Sequence, residues 1–284
     1  MTFDEFLKSR EVGDEGVEKL LSGMSAFQVK LARQMTEAMS ALEVRGGVLV
    51  ASEANMANLA TIMDSLKKGF ADPEWEGAVK EYLRTFNSLG ENVIAYSGGA
   101  VDAALIKAMR LQYKTVAAEY LLSASSFGRT LSMAITQEVG TYIATGAPYK
   151  GLLSSVTDII TGGGKTDGAI LGQASTVVND LVTVYERSAM EVAAEAMGAE
   201  FYYYQGRPID TTRPFCRVRS NKYFHRDEIR SWGNEEWAGQ IPGTNSSTVF
   251  TLLGGYNCRH MLIAVSREQV PAADLERMKA AGYI

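Results

Sequence analysis

Apolar residues recur every three or four positions through much of the first 198 residues. Three runs show this spacing clearly, over 27–42, 56–70 and 75–93. Their members are Phe27, Leu31, Met35, Met39 and Leu42, then Met56, Leu59, Met63, Leu66 and Phe70, and then Trp75, Val79, Tyr82, Phe86, Leu89 and Val93. Such spacing places apolar side chains on one side of an α-helix. The pattern therefore predicts long helices packed in a bundle, with a break at Gly46 and Gly47.

Helical spacing continues through 101–145 and again through 170–197, where Gly198 is placed to end the helix. Between these stretches, the Ser-rich residues 123–126 predict a kink or turn. The glycine-rich segment ending at Lys165 predicts a loop between helices. It lacks the first glycine of a phosphate-binding P-loop, which lies six residues before the lysine, so we do not interpret it as a nucleotide site.

The pattern changes after residue 198. Four of the six prolines lie beyond residue 200. The aromatic segment 201–206 predicts a short strand, 225–237 a short helix, and 260–265 a second strand. A helix over 271–283 follows. We therefore predict a mainly α protein with a long helical N-terminal body and a small C-terminal α+β module.

We expect three parts along the chain. They are a helical body over 1–164 that binds partners, a module over 165–267 and a C-terminal helix over 268–284.

Composition agrees with a folded chain. Of the 284 residues, 46% are apolar and 21% are charged, which is ordinary for a globular protein and excludes a disordered one. The net charge of −5 is unevenly distributed, because residues 1–200 carry 17 basic and 25 acidic groups whereas 201–267 carry nine and five. No secretory signal and no apolar stretch of ~20 residues is visible, so we expect no membrane span.

The cysteines and histidines are few and close together in the sequence. The chain has two of each, namely Cys216, His225, Cys258 and His260. Two thiolates and two neutral imidazoles suit tetrahedral zinc, but their spacing is not that of a standard zinc finger. Three other interpretations stay open: buried small apolar cysteines, a disulfide formed in an oxidising medium, and histidines hydrogen-bonded in the core.

The strings around these residues are more specific than the residue types. Asp210 precedes RPFC at 213–216, DEIRSW occupies 227–232, Trp237 and Gly239 follow, and GGYNCRH closes the region at 254–260. These strings resemble the phage head morphogenesis family, the minor head proteins similar to protein F of phage Mu. The match covers roughly 165–267. In this family no histidine is expected at the position of His225, so the resemblance implies Cys216, Cys258 and His260 as ligands, with Asp210 as an alternative fourth.

The resemblance implies a virion protein of a tailed bacteriophage. Such a minor head protein is made in the host cytoplasm, lies at the head and portal vertex, and acts in head morphogenesis and in DNA packaging or ejection. Its expected partners are the portal protein and other virion proteins, with multiple copies per virion. We expect a structural protein and no catalysis. The motif residues expected to stabilise the module are Phe215, Trp232, Trp237, Gly254, Gly255, Tyr256, Asn257 and Arg259.

Six basic residues lie within 18 positions of the module. They are candidates for non-specific contact with the phosphates of packaged DNA: Arg213, Arg217, Arg219, Lys222, Arg226 and Arg230. The alternative is a solvated basic face on which some arginines pair with Asp227, Glu228 or Glu235.

Two other functional classes compete with the phage assignment. One is a metal-dependent nuclease or hydrolase, for which His260, His225, Asp210 and Glu228 would supply a general base and metal ligands. The other is a bacterial helical adaptor without a phage role. The sequence contains no paired acidic motif and no nucleophile elbow, which favours the structural protein over the enzyme.

Overall fold

The computed structural model describes residues 1–122, 127–163 and 169–284. The predicted kink at 123–126, the loop around Lys165 and the expected boundary at 164 lie outside these ranges. The N-terminal helices are α1 Phe3–Ser9, α2 Glu11–Met39, α3 Glu53–Phe70, α4 Pro73–Tyr96, α5 Ala103–Leu122, α6 Phe127–Thr145, α7 Tyr149–Thr161 and α8 Ala169–Ala196. The predicted helical body is confirmed.

Two of the three apolar runs are buried throughout. Every member of the 27–42 run and of the 75–93 run is at most 6% exposed. For the 56–70 run the predicted buried side is only partly correct, because Met56 is 55% exposed while Asn55 and Ile62 are fully buried. Asn55 is buried because its side chain bonds the backbone of Glu43 and Val50, which rotates the buried side of α3 toward 55, 62, 66 and 69.

The breaks predicted from glycine and proline also occur. Gly46 and Gly47, both with positive φ, form the turn of a small hairpin between β1 Val44–Arg45 and β2 Val48–Leu49. Asp72 caps α4 by accepting hydrogen bonds from the backbone N–H groups of Glu74 and Trp75. Gly198 adopts φ +64° just after α8, as predicted for a helix stop.

Close contacts divide the chain into two compact units. Unit 1 comprises Met1–Glu15, Thr85–Lys114 and Val178–Ile284, and unit 2 comprises Gly16–Arg84 and Thr115–Val177. The three-part division expected from the sequence stays a prediction. The regular structure described in unit 2 is helical apart from the hairpin. Buried side chains link its helices: the indole N–H of Trp75 donates to the Leu121 carbonyl, and the Gln28 amide donates to that of Ile160.

Unit 1 contains a three-stranded antiparallel sheet. Its strands are β3 Phe201–Gln205, β4 Lys222–His225 and β5 Met261–Val265, in the order β4-β3-β5. Tyr202 pairs with Phe224 and Ala264, whereas Phe201 pairs with His225 and Val265. Successive side chains of a strand point to opposite faces, so these two sets belong to different faces of the sheet.

Each face of the sheet has its own core. Tyr202, Tyr204 and Phe224 pack with α8, α4 and residues of the C-terminal loops. Phe201 and Val265 pack with Met278 of α12 Ala272–Ala280. The remaining helices of this region are short: α9 Pro214–Arg217, α10 Arg226–Trp232 and α11 Val249–Leu252. The predicted mainly α fold with a small C-terminal α+β module is confirmed.

Candidate metal centre

Two cysteines and a histidine from distant parts of unit 1 meet in a buried cluster. Cys216 lies on α9, and Cys258 and His260 lie just before β5. The two sulphur atoms are 3.7 Å apart, and the Cys258 sulphur is 3.7 Å from Nδ1 of His260. All three donor atoms lie within 4.8 Å of one another. The expected proximity of the two cysteines is confirmed, and both are free thiols. We call these three residues the cysteine–histidine cluster.

Two glycines make room for the cluster. A β-carbon on Gly254 would lie 2.2 Å from the Cys216 sulphur and 2.9 Å from the Cys258 sulphur. A β-carbon on Gly206 would lie 2.2 Å from Cδ2 of His260. Any side chain at either position would therefore displace a donor group, which explains the first glycine of the GGYNCRH string physically.

Ser220 fixes the orientation of the His260 ring. Its hydroxyl donates to the Cys216 carbonyl at 2.8 Å and lies 3.0 Å from Nε2 of His260. Because a serine hydroxyl has one proton to donate, Nε2 of His260 carries a proton and donates to Ser220. The other ring nitrogen, Nδ1, faces the Cys258 sulphur. This is the arrangement in which a histidine binds a metal through one nitrogen and is held through the other.

Arg187 closes the cluster from α8. Its side chain is buried, and it donates hydrogen bonds to three backbone carbonyls, those of Thr251, Cys258 and His260. These bonds connect α8 with the loop that carries two of the three donor groups. A buried guanidinium also favours negative charge nearby.

The two thiols differ in their acidity. Hydrogen bonding with Cys216, together with the positive charge of Arg187, holds the pKa of Cys258 well below its usual value. The same hydrogen bond, together with burial, raises the pKa of Cys216. The lowered pKa favours the thiolate at Cys258 over that at Cys216, and the thiolate is the form in which a thiol binds a metal.

A cavity of about 460 Å³ opens beside the cluster. All three cluster residues line it, and so do three arginines, two threonines and two further residues: Arg207, Arg213, Arg259, Thr211, Thr212, Ile209 and Asn257. No carboxylate is among the lining residues. We call this space the arginine cavity.

The donor set fits a metal ion of the zinc type. Two sulphur atoms and one imidazole nitrogen are preferred zinc ligands, and three protein ligands leave one tetrahedral position for another group. Cys216, Cys258 and His260 can therefore hold a metal ion.

The other two residues expected as ligands do not join the cluster. His225 pairs with Phe201 in the sheet, so its side chain lies on the opposite face from Tyr204, against which His260 packs. Its Nδ1 instead accepts a hydrogen bond from the Asp227 backbone at the start of α10. Asp210 is exposed and is not among the residues lining the arginine cavity. The prediction of these two ligands is therefore not supported by their positions.

The six basic residues do not form one free surface. Arg219 stacks on Phe215 and Trp232 and pairs with Glu235 at 2.5 Å. Arg226 donates to the Tyr202 hydroxyl at 2.6 Å and lies 3.6 Å from Glu191. Both arginines are therefore parts of the fold and are poorly placed for DNA.

The other four have different surroundings. Arg230 pairs with Asp227, while Arg217 and Lys222 are exposed and donate to nearby backbone carbonyls. Arg213 alone among the six lines the arginine cavity. Glu228, a candidate partner of these arginines and a candidate metal ligand, pairs with Arg277.

Most of the other motif residues form one packed layer. Phe215 stacks on Trp237 with ring centroids 3.9 Å apart and meets Trp232 edge to face. Gly255, at φ +90°, lies against the Gly239 carbonyl, which accepts from the Tyr256 backbone N–H at 3.1 Å. The ring of Tyr256 is 45% exposed and lies outside this packed layer, and its expected contribution to the stability of the module stays a prediction.

Asn257 and Arg259 link the motif to α8. The backbone N–H of Asn257 donates to Asp180 at 2.7 Å, and Arg259 donates to Asn179 at 3.0 Å. Arg259 also lies 3.3 Å from Asp14 of α2. These contacts fix the loop that precedes β5 on both sides.

Comparison with protein-family models, with curated proteins and with solved structures gave no match. The resemblance to the phage head morphogenesis family thus depends on the sequence strings themselves and stays a prediction. Within the described ranges, no helix combines the length and apolarity needed to cross a bilayer.

Proposed function

We propose that this chain is a minor head protein of a tailed bacteriophage, a structural component of the portal vertex that acts in head morphogenesis. One observation carries the proposal. The two most specific strings of the resemblance, RPFC and GGYNCRH, lie some 40 residues apart and supply all the donors of one buried cluster. Their residues therefore have a common structural purpose, as expected of a motif that defines a module.

We further propose that the cluster holds zinc, which would cross-link α9 to the loop before β5. Cys216, Cys258 and His260 would be the ligands, Ser220 would orient the histidine, and Arg187 would stabilise the thiolate form. In this proposal the metal stabilises a compact module, while the long helices provide the surface for the portal and other virion proteins. Elemental analysis of the purified protein tests the zinc directly.

The portal assignment is tested by sedimentation. The purified chain is mixed with rings of the portal protein of the same phage, and the pelleted fraction is measured against chain alone. We expect the chain to sediment with the rings in a fixed ratio, and a cryo-EM map of assembled particles to show several copies at the portal vertex. A chain that stays in the supernatant and is missing from particles would contradict the proposal.

A second candidate, a metal-dependent nuclease or hydrolase, is favoured by one observation: the three donors open onto the arginine cavity. Such a site could hold a metal with a position left for water. Incubation of the protein with DNA or RNA and divalent metals tests this. Cleavage that is lost in His260→Ala, with an unchanged circular dichroism spectrum, would favour the enzyme. We expect no turnover.

A further inference from the structure

We infer that the arginine cavity binds a phosphate oxyanion, which completes the coordination of the metal held by the cysteine–histidine cluster. This inference rests on the zinc centre proposed above and adds the class of its fourth ligand. It follows from the number of protein donors, the charge around them, and the groups available to hold an anion.

The first step is the number of donors. Zinc in proteins is usually four-coordinate, and the cluster offers three donor atoms. Within the described residues no further Cys, His, Asp or Glu joins this group. His225 lies on the other face of the sheet, and Asp210 is not a lining residue of the cavity. The fourth position is therefore available to a molecule that enters the cavity.

The second step is the charge of the cavity. Arg207, Arg213 and Arg259 line it without any carboxylate. Arg259 shares its charge with Asp14, at 3.3 Å, but among the described residues neither Arg207 nor Arg213 has a carboxylate within ion-pair distance. Guanidinium groups without an ion-pair partner, beside a divalent cation, attract an anion.

The third step is the nature of the anion. Guanidinium groups bind phosphate through paired hydrogen bonds, and the hydroxyls of Thr211 and Thr212 line the same space. The carboxylate of Asp180 already accepts the backbone N–H of Asn257, a residue that lines the cavity. An oxyanion of the phosphate type can therefore bind the metal with one oxygen while the arginines bind the others.

Cobalt(II) makes the fourth position visible. It occupies zinc sites and gives a sulphur-to-metal charge-transfer band, and its visible absorption changes with its ligands. The reduced full-length protein is loaded with one equivalent of cobalt(II) and titrated with inorganic phosphate. We expect a charge-transfer band on loading and a saturable change in the visible bands on titration.

Three variants identify the cavity. Arg207→Gln and Arg213→Gln should each weaken the apparent affinity for phosphate about tenfold, as expected for the loss of one charge-assisted hydrogen bond. Arg84→Gln removes an exposed arginine of α4 that does not line the cavity, and it should leave the titration unchanged. All three variants should retain the charge-transfer band, because none of the three residues is a metal ligand.

A second titration uses a short oligodeoxynucleotide instead of inorganic phosphate. If the visible bands change at a lower phosphate concentration with the oligonucleotide than with the free ion, the bound phosphate belongs to a nucleic acid backbone. If they change with the free ion alone, the cavity binds free phosphate.

The failures are distinguishable. If the charge-transfer band forms but the visible bands change with neither inorganic phosphate nor the oligonucleotide, the oxyanion site alone is overturned. The same holds if Arg84→Gln weakens the apparent affinity for phosphate as much as the two cavity variants do. A missing charge-transfer band would overturn the metal centre as well. Failure to sediment with portal rings would refute the phage assignment without altering the cobalt result.

Discussion

Glu191 is a carboxylate in an environment that disfavours its charge. It lies on α8 with its side chain only 18% exposed, 3.6 Å from Arg226 and 3.3 Å from the Tyr202 hydroxyl. Burial outweighs the attraction of Arg226 and raises the pKa of Glu191 to about 7. The folded protein therefore holds this proton at pH values where the unfolded chain has released it.

The first prediction follows from that difference. Below about pH 4.5 the Glu191 carboxyl is protonated in both the folded and the unfolded state, so its burial does not lower the free energy of unfolding. As the pH rises toward 7 the unfolded chain ionises first, and the free energy of unfolding therefore falls. Glu191→Gln removes this penalty while keeping a hydrogen-bond acceptor for the Tyr202 hydroxyl. We expect it to raise the free energy of unfolding by about 1–3 kcal/mol at pH 8, with no gain at pH 4. Urea unfolding at both pH values measures this, and an equal effect at both would contradict it.

At the scale of single residues, the sequence predicts the candidate metal ligands better than the residues that hold those ligands in place. The rarity of cysteine and histidine marks Cys216, Cys258 and His260 as candidates, and the long connection between them suggests that they meet. Arg187, Ser220 and Gly206 carry no such signal, because an arginine, a serine or a glycine is common and its role depends on contacts made across the fold. The pairing of β3 with β4 sets the face on which His225 lies, away from the cluster, and the sequence contains no signal of that pairing.

Among the elements, the long helices are the most predictable. Sixteen apolar positions at helical spacing determine their existence, and only the buried side of α3 was misplaced, by the hydrogen bonds of Asn55. Strand β4 was not predicted, since its four residues, KYFH, are too few to show alternation. It exists because β3 offers a second edge on which Phe224 can be buried.

The layer formed by Phe215, Trp232 and Trp237 gives the second prediction. Trp237 stacks on Phe215 in the loop after α10 and is only partly buried. Trp237→Ala removes this stacking and leaves a gap beside α9, which carries Cys216. Because the ring is only partly buried, we expect a loss of about 2–3 kcal/mol, below the ~3–5 typical of a fully buried tryptophan. Thermal unfolding followed by far-UV circular dichroism measures the loss.

Tyr256 supplies the matched control for that experiment. It belongs to the same motif and is aromatic, but its ring is largely exposed. Tyr256→Ala should change stability by no more than about 0.5 kcal/mol. Equal losses in the two variants would show that the packed layer does not stabilise the module.

For the whole molecule, the composition of unit 1 gives the third prediction. Its core combines Phe6 of α1, Val93 of α4 and Ile106 of α5 with Tyr202 and Ile263 of the sheet. A fragment of residues 165–267, the range covered by the motif strings, lacks the first three. We expect this fragment to show poor dispersion in its NMR spectrum and no cobalt charge-transfer band, in contrast to the complete chain. A well-dispersed fragment that binds cobalt would contradict this.

Strand β5 lies near the end of the sequence, so it also determines when unit 1 can complete its fold during synthesis. Phe6 shares a core with Met261, Arg10 pairs with Glu186 at 2.8 Å, and the Tyr96 hydroxyl donates to the Ala264 carbonyl at 2.6 Å. A ribosome adds roughly 5–20 residues per second, so α1 waits about 13–50 s for the strand against which it packs. Throughout that interval its apolar side chains are open to other newly made chains. Cys216 is made much later and waits about 2–9 s for the 44 residues up to His260. The metal proposed for this cluster can therefore bind only near the end of synthesis, once His260 has been made.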